Sequence, residues 1–223
     1  QMCIRDSLYY LRMGNTNLKP EETSQYNVGV TWSSSCGDWL RHFSISADGY
    51  YNTVKDKIVA LPTMYVWKMM NMGEVDIKGV DVNLSTQFRL PLRMSLLLAS
   101  TYSFQYAVDV TDPEAKNYKD QIPYTPRHSG TVSVTLENPW VNVSYILTAV
   151  GDRYALPQNI DRNRIDSYIE QSISINRDFR FRYFGLRLQG ELLNLANVNY
   201  DVIQYYPMPG RSWRCLLYTS DAA

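Results

Sequence analysis

The chain has 223 residues, and its 22 Lys and Arg balance 22 Asp and Glu, so it lacks the basic footprint that nucleic acid requires. It is 45% hydrophobic with negative mean hydropathy, and no run reaches the roughly 18 apolar residues of a helical membrane span. A membrane barrel stays open, because its strands are apolar on one face only, and 18 Tyr with 5 Trp suit interface girdles as well as ordinary strands.

Residues 1–7 (QMCIRDS) and 215–223 (CLLYTSDAA) look like the two strands of a transposase sequencing adapter translated in frame. Both are set aside as foreign. The remaining residues 8–214 are expected to be an internal piece of a longer protein. Without Cys3 and Cys215, Cys36 stands alone, so neither a disulfide framework nor a cysteine metal cluster is expected.

Residues 8–13 read as a strand end or ordered loop, broken by residues 14–17. From Gln25, Tyr26, Val28, Val30 and Trp32 alternate with Asn27, Gly29 and Thr31, the period-2 pattern of a strand with one apolar face. A turn over residues 33–40 leads to a return strand with Phe43, Ile45, Ala47, Gly49 and Tyr51 on one face. A long connection follows, rich in Met and aromatics (Met64, Tyr65, Trp67, Met69, Met70, Met72). The third strand turns Val80, Val82, Leu84, Thr86 and Phe88 outward, and Asp81, Asn83, Ser85, Gln87 and Arg89 inward.

After a turn at Leu90 and Pro91 comes the longest alternation, residues 92–106. Leu92, Met94, Leu96, Leu98, Ser100, Tyr102, Phe104 and Tyr106 share one face; Arg93, Ser95, Leu97, Ala99, Thr101, Ser103 and Gln105 share the other. A spanning strand needs about 9–11 tilted residues, which this run exceeds, whereas a sandwich strand usually stops at about five or six. Residues 108–127 form another long connection. Val132, Val134 and Leu136 then mark a fifth strand, and Val141, Val143, Tyr145 and Leu147 a sixth, with Ile146 the inward exception. Residues 151–164 are long, 165–175 extended, and 176–182 a short turn. Phe184, Leu186, Leu188, Gly190 and Leu192 then oppose Arg187, Gln189 and Glu191. A last loop, 194–209, precedes a strand opening at Gly210 that the adapter cuts off. Connections thus alternate short and long along the whole chain, as in an outer-membrane barrel with tight turns on one side and long loops on the other.

The loop and strand junctions carry recognisable motifs. Asn15-Thr16-Asn17-Leu18-Lys19-Pro20-Glu21 resembles the N-x-x-L-K-P-E segment of TonB-dependent outer-membrane receptors, followed by Tyr26-Asn27-Val28-Gly29. Tyr50-Tyr51-Asn52 with Asp56 and Ile58, Asn71 with Gly73, and Lys78-Gly79-Val80-Asp81 are similar to further segments of that family, Asp81 replacing the usual Glu. Pro126-Arg127-His128, Asn194-Leu195 with Asn199-Tyr200, and Pro209-Gly210-Arg211 complete the order. The resemblance implies the C-terminal part of a plugged barrel of 22 strands. It also implies a TonB complex engaged through the missing N-terminal part.

Enzymatic chemistry is not expected: His42 and His128 have no partner at metal-ligand or catalytic spacing, and no cofactor or metal site is read. Asn142-Val143-Ser144 is an accidental sequon within a strand. Inward Arg89, Arg93 and Arg187 with Asp81 and Glu191 line a wet lumen. The expectation is therefore all-β: an antiparallel transmembrane β-barrel fragment of about nine strands, an open curved sheet in outer-membrane lipid. Its function is TonB-energised uptake of a scarce small-molecule nutrient of the iron–siderophore, haem or cobalamin class. The alternatives are a passive porin-like channel, a glycan importer of the SusC type, or a soluble β-sandwich adhesin. Ligand contact is expected in the long connections, with Tyr65, Trp67 and Tyr154 as the aromatic candidates and loop packing as their competing role.

Overall fold

The computed structural model describes residues 15–62, 67–71, 73–180 and 184–221. Strand β1 (Glu22–Cys36) turns tightly into β2 (Leu40–Lys55). A small hairpin of β3 (Ile58–Pro62) and β4 (Trp67–Asn71) rises from the next connection, before the long hairpin of β5 (Glu74–Leu90) and β6 (Met94–Asp109). Then come β7 (His128–Glu137) and β8 (Asn142–Val150), followed by the short pair β9 (Arg153–Tyr154) and β10 (Arg164–Ile165) around a 3-10 turn at Asp161–Asn163. Strands β11 (Tyr168–Arg180) and β12 (Phe184–Leu193) follow, then a second short pair, β13 (Asp201–Ile203) and β14 (Tyr206–Pro207), and finally β15 (Ser212–Asp221).

Nine of these strands form one sheet in the order β1-β2-β5-β6-β7-β8-β11-β12-β15. Every neighbouring pair is antiparallel. Strands β1 and β15 are its two edges, so the sheet is open. The three short pairs all stand in the long connections, at one end.

Register decides what each face presents, because directly opposed residues point to the same side. One row runs Ile45, Leu84, Ser100, Val132, Leu147. The next runs Phe43, Thr86, Leu98, Val134, Tyr145, Ile173, Leu192, Trp213. On the opposite face Thr31, Ser46, Asn83, Thr101, Thr131 and Thr148 form a continuous polar row. Among the described residues nothing forms a second layer over the apolar face: Val28 is 76% and Trp32 61% exposed. A water-soluble domain would cover such a face.

Charges on the polar face satisfy one another across strands. Arg187 donates to both carboxylate oxygens of Asp178, at 2.5 and 2.9 Å, and Arg214 pairs with Glu191. Ser103 donates to Asp81 at 2.5 Å.

Several boundaries differ from the sequence expectation. Leu92 and Arg93 are not strand residues. Both have φ of 59° and stand between Pro91 and Met94, whose amide closes the turn on the Pro91 carbonyl at 3.3 Å. The required left-handed conformation lacks its usual Gly or Asn signal, and Arg93 therefore does not line the polar face. The turn expected over residues 33–40 shrinks to Gly37, Asp38 and Trp39, because Ser33 and Ser34 pair with Ser44 and Phe43. The turn expected over residues 176–182 is strand as far as Arg180, and 181–183 lie outside the described residues, as do 1–14. The last strand continues through Cys215 to Asp221, with Cys215 opposite Gly190 and Leu217 opposite Leu188. Its apolar alternation pairs whatever its origin.

Candidate ligand site at the loop end of the sheet

The only hydrophobic cluster among the described residues lies at the loop end, on the polar-face side of the strands. It joins Val54, Val75, Ile77 and Ala107 to Ile122 of the β6–β7 connection, with Tyr50 and Val59 packed against it. Ile122 reaches this place because its connection folds back: its amide donates to the Ala107 carbonyl at 2.9 Å. Next to it Gln121 is 2% exposed. Its side chain accepts from the Ala107 amide and donates to the Gln105 and Thr125 carbonyls, each at 3.3 Å. A buried amide with all these partners anchors a loop, since leaving such groups unpaired costs about 1–3 kcal/mol.

The motif residues act as clamps in the same layer. Asn71 grips Lys19 twice, accepting from its amide at 2.9 Å and donating to its carbonyl at 3.0 Å, and also reaches the Asp56 carbonyl. Glu21 accepts from the Ile58 amide at 2.5 Å. Asn17 donates its amide to Asn15, and Leu18 is 9% exposed; Pro20 lies two residues before β1. Asn194, buried at 3% exposure with φ of 50°, donates to the Val198 and Pro209 carbonyls and accepts from the Val198 amide. Tyr200 stacks on Tyr168 with centroids 4.1 Å apart. The Arg211 amide donates to Asn197, and a Cβ on Gly210 would meet that same oxygen at 2.8 Å. Gly79 is open for a similar reason: a Cβ there would lie 2.4 Å from the Phe104 carbonyl and 2.5 Å from the Tyr50 hydroxyl.

Three connections then lock together. The Tyr124 amide donates to the Tyr154 carbonyl at 2.7 Å, and the Asn159 amide to Asp120 at 3.0 Å. Arg153 donates through one terminal nitrogen to the Asp201 and Val202 carbonyls, at 2.6 and 3.1 Å. Burial holds the Arg153 guanidinium below its ordinary pKa, opposed by Tyr168, Tyr124 and Asp201. Burial likewise raises the Tyr124 hydroxyl, against a backbone hydrogen bond at Gln204 and the Arg153 charge. Tyr200 is raised by burial, then by Glu170 and Tyr168.

Two clefts open among these connections. One, of about 510 Å³, lies over Arg153 and Tyr168 and takes in Lys57, Val59, Pro123 and Val202. The other, of about 680 Å³, is bordered by Tyr124, Leu156, Ile160, Arg162, Tyr205 and Tyr206. Its rings stand out into solvent, Tyr205 at 80% and Tyr206 at 64% exposure. Among the described residues no group of three His, Cys, Asp or Glu is placed to hold a metal ion.

Of the three aromatic candidates, Tyr65 lies outside the described residues. Trp67 opens β4 opposite Pro62, and its side chain lies outside them too. Tyr154 is half-buried in β9, spends its carbonyl on Tyr124, and borders neither cleft. Sequence reasoning passed over Arg153, Tyr124, Tyr205 and Tyr206. Only their place in three of the long connections pointed to them.

A family model described as TonB dependent receptor-like, beta-barrel, matches residues 5–195. The chain belongs to the TonB-dependent receptor family. The vitamin B12 transporter BtuB of Vibrio vulnificus (strain YJ016) is 23% identical over 215 residues, 93% of this chain and 31% of the relative. The chain therefore spans about a third of the curated relatives it matches. Among solved structures, the unliganded ferric citrate transporter FecA superposes with a TM-score of 0.69 at 12% identity, covering 93% of this chain and 32% of that one. The ferric preacinetobactin receptor BauA from Acinetobacter baumannii gives 0.67 at 13% identity, covering 91% and 30%. At those identities the likeness is one of fold. The open sheet is the corresponding arc of such a barrel, and the relatives are receptors and transporters.

Proposed function

We propose that this chain is the C-terminal arc of an outer-membrane receptor that binds a scarce nutrient and imports it with energy from the TonB complex. The carrying observation is the sorting of the molecule into two ends and two faces: tight turns at one end, interlocked loops at the other, and an uncovered apolar face between them. The apolar face meets outer-membrane lipid, the polar face lines the barrel interior, and the loops stand outside the cell. Cobalamin and iron–siderophore chelates are the favoured cargo classes, haem being a third. They accord with the sequence relative and with the receptors whose fold the chain shares. Ligand contact falls to the loop-end clefts, with Tyr65, Trp67 and Tyr154 as further contacts.

The decisive experiment expresses the full-length receptor in a Gram-negative host lacking its own cobalamin and siderophore receptors, with and without functional TonB. Growth on limiting cobalamin, or on an iron chelate as sole iron source, is expected only with TonB. Growth that ignores TonB would instead indicate a passive porin-like channel, and dependence on an oligosaccharide a glycan importer. Residues 1–7 and 215–223 are read as adapter-derived, which an independent genomic copy of the gene tests directly.

A further inference from the structure

The smaller cleft holds an unusual group. Arg153 is 4% exposed, yet among the described residues both its hydrogen bonds leave from Nη2 and its buried Nη1 has no hydrogen-bond partner. Among the described residues Arg153 makes no ion pair. Asp201, the carboxylate nearest in effect, turns instead to the Tyr205 amide at 3.1 Å. The Tyr168 ring lies 5.5 Å below the guanidinium and takes one of its faces. A buried cation with donors left over is costly unless an anion completes it. The second cation on this cleft, Lys57, is also without an ion pair among the described residues. The remaining wall is mostly apolar, with Val59, Pro123, Val202 and the Tyr124 ring among it, and its Thr125 hydroxyl already donates to the Pro123 carbonyl at 3.3 Å.

We propose that this cleft binds the carboxylate of an organic acid with an apolar body, Arg153 receiving the carboxylate and Lys57 closing over it. Ionised acceptors make the shorter and stronger hydrogen bonds that a desolvated guanidinium offers. Two cations and few other donors suit a single carboxylate, and the proline, valine and tyrosine wall suits an apolar body behind it. The inference deepens the receptor reading above by assigning one chemical group of the cargo to one place in the loops.

The test uses the full-length receptor in detergent, titrated with 2-naphthoate and with its neutral counterpart 2-naphthamide. Naphthoate is expected to bind at least tenfold more tightly. Arg153→Gln should abolish that preference, Arg153→Lys should keep part of it, and Lys57→Gln should reduce it about threefold. Arg153 also holds two loop carbonyls, so heat stability is followed in each variant. Should Arg153→Gln lose its fold, the Lys57→Gln and Arg153→Lys results decide alone. Equal affinity for acid and amide, no binding of either, or a preference unchanged in the variants overturns the proposal. Binding is read without transport, so the two readings fail separately. Uptake independent of TonB with the acid preference intact refutes the receptor reading only, and TonB-dependent growth without the preference refutes this site only.

Discussion

The two ends of the sheet solve the same problem differently. At the turn end each hairpin closes within a few residues: Gly37 with φ of 65° bends β1 into β2, and Asn138 accepts from the Trp140 and Val141 amides. At the loop end the connections bond within themselves, as Ala155 does to Asn163 and Met208 to Tyr200, and are also held to distant segments. Asn71 holds Lys19 across 52 residues, Gln121 holds Gln105 and Thr125, and Arg153 holds residues 48 and 49 positions away. The turn end is thus set by local dihedral chemistry, and the loop end also by polar side chains that tie one connection to another or to a strand. Changes at the turn end should stay local. Those at the loop end should loosen several connections at once.

The largest expected effect tests the frame between the two ends. Leu84 lies near the middle of the 17 residues of β5, in the row with Ile45 and Ser100, whereas Leu96 sits close to the turn. In the full-length receptor in lipid, Leu84→Arg should cost about 2–4 kcal/mol, and Leu96→Arg only about 1, because the penalty falls away from the midplane. Heat stability of the assembled barrel checks both. Equal costs would mean that the turn end is not near the membrane boundary.

A smaller contrast compares two asparagines. Asn194→Ala removes three hydrogen bonds from a buried clamp and should cost about 1–3 kcal/mol. Asn138→Ala removes a turn acceptor beside solvent and should cost under about 1 kcal/mol. Hydrogen exchange in the full-length receptor should show residues 194–211 opening in the first variant and only residues 138–141 in the second. Exchange confined to residues 194–198 in Asn194→Ala would break the idea of an interlocked end.

How much of this was legible follows the same division. Strands declared themselves because their period of two persists for nine to seventeen residues, and the sheet order follows from antiparallel neighbours. Boundaries failed where a residue took an uncommon role. Leu92 and Arg93 are apolar and basic in alternation, so they read as strand until their positive φ is seen. Ser33 and Ser34 read as turn, although cross-strand pairing with Ser44 and Phe43 keeps them extended. The motif at residues 15–21 could be recognised, but nothing in its spacing says that Asn71 is its partner. Arg153 carries no pattern at all. Its importance comes from burial, and burial there comes from two other connections.

The smallest effect is a pH dependence confined to the loop end. Burial raises the Tyr124 hydroxyl above its ordinary value, with the Gln204 backbone and Arg153 pulling the other way, and burial also raises Tyr200. An unfolded tyrosine loses its proton near pH 10, by about which point the folded ones still keep theirs. The folded loops therefore bind more protons than the unfolded chain in that window, and stability falls as pH rises. The contribution is whole below about pH 10 and disappears as pH climbs through the raised folded values. Absorbance at 295 nm should show Tyr124 and Tyr200 among the late-ionising tyrosines of the full-length receptor, and Tyr124→Phe and Tyr200→Phe should each remove one late step. Exchange of residues 194–211 should quicken in that range relative to residues 138–141, once the intrinsic rate is divided out, and Tyr124→Phe should blunt the difference. If both ends loosen in parallel, these two hydroxyls are not coupled to the loop lock.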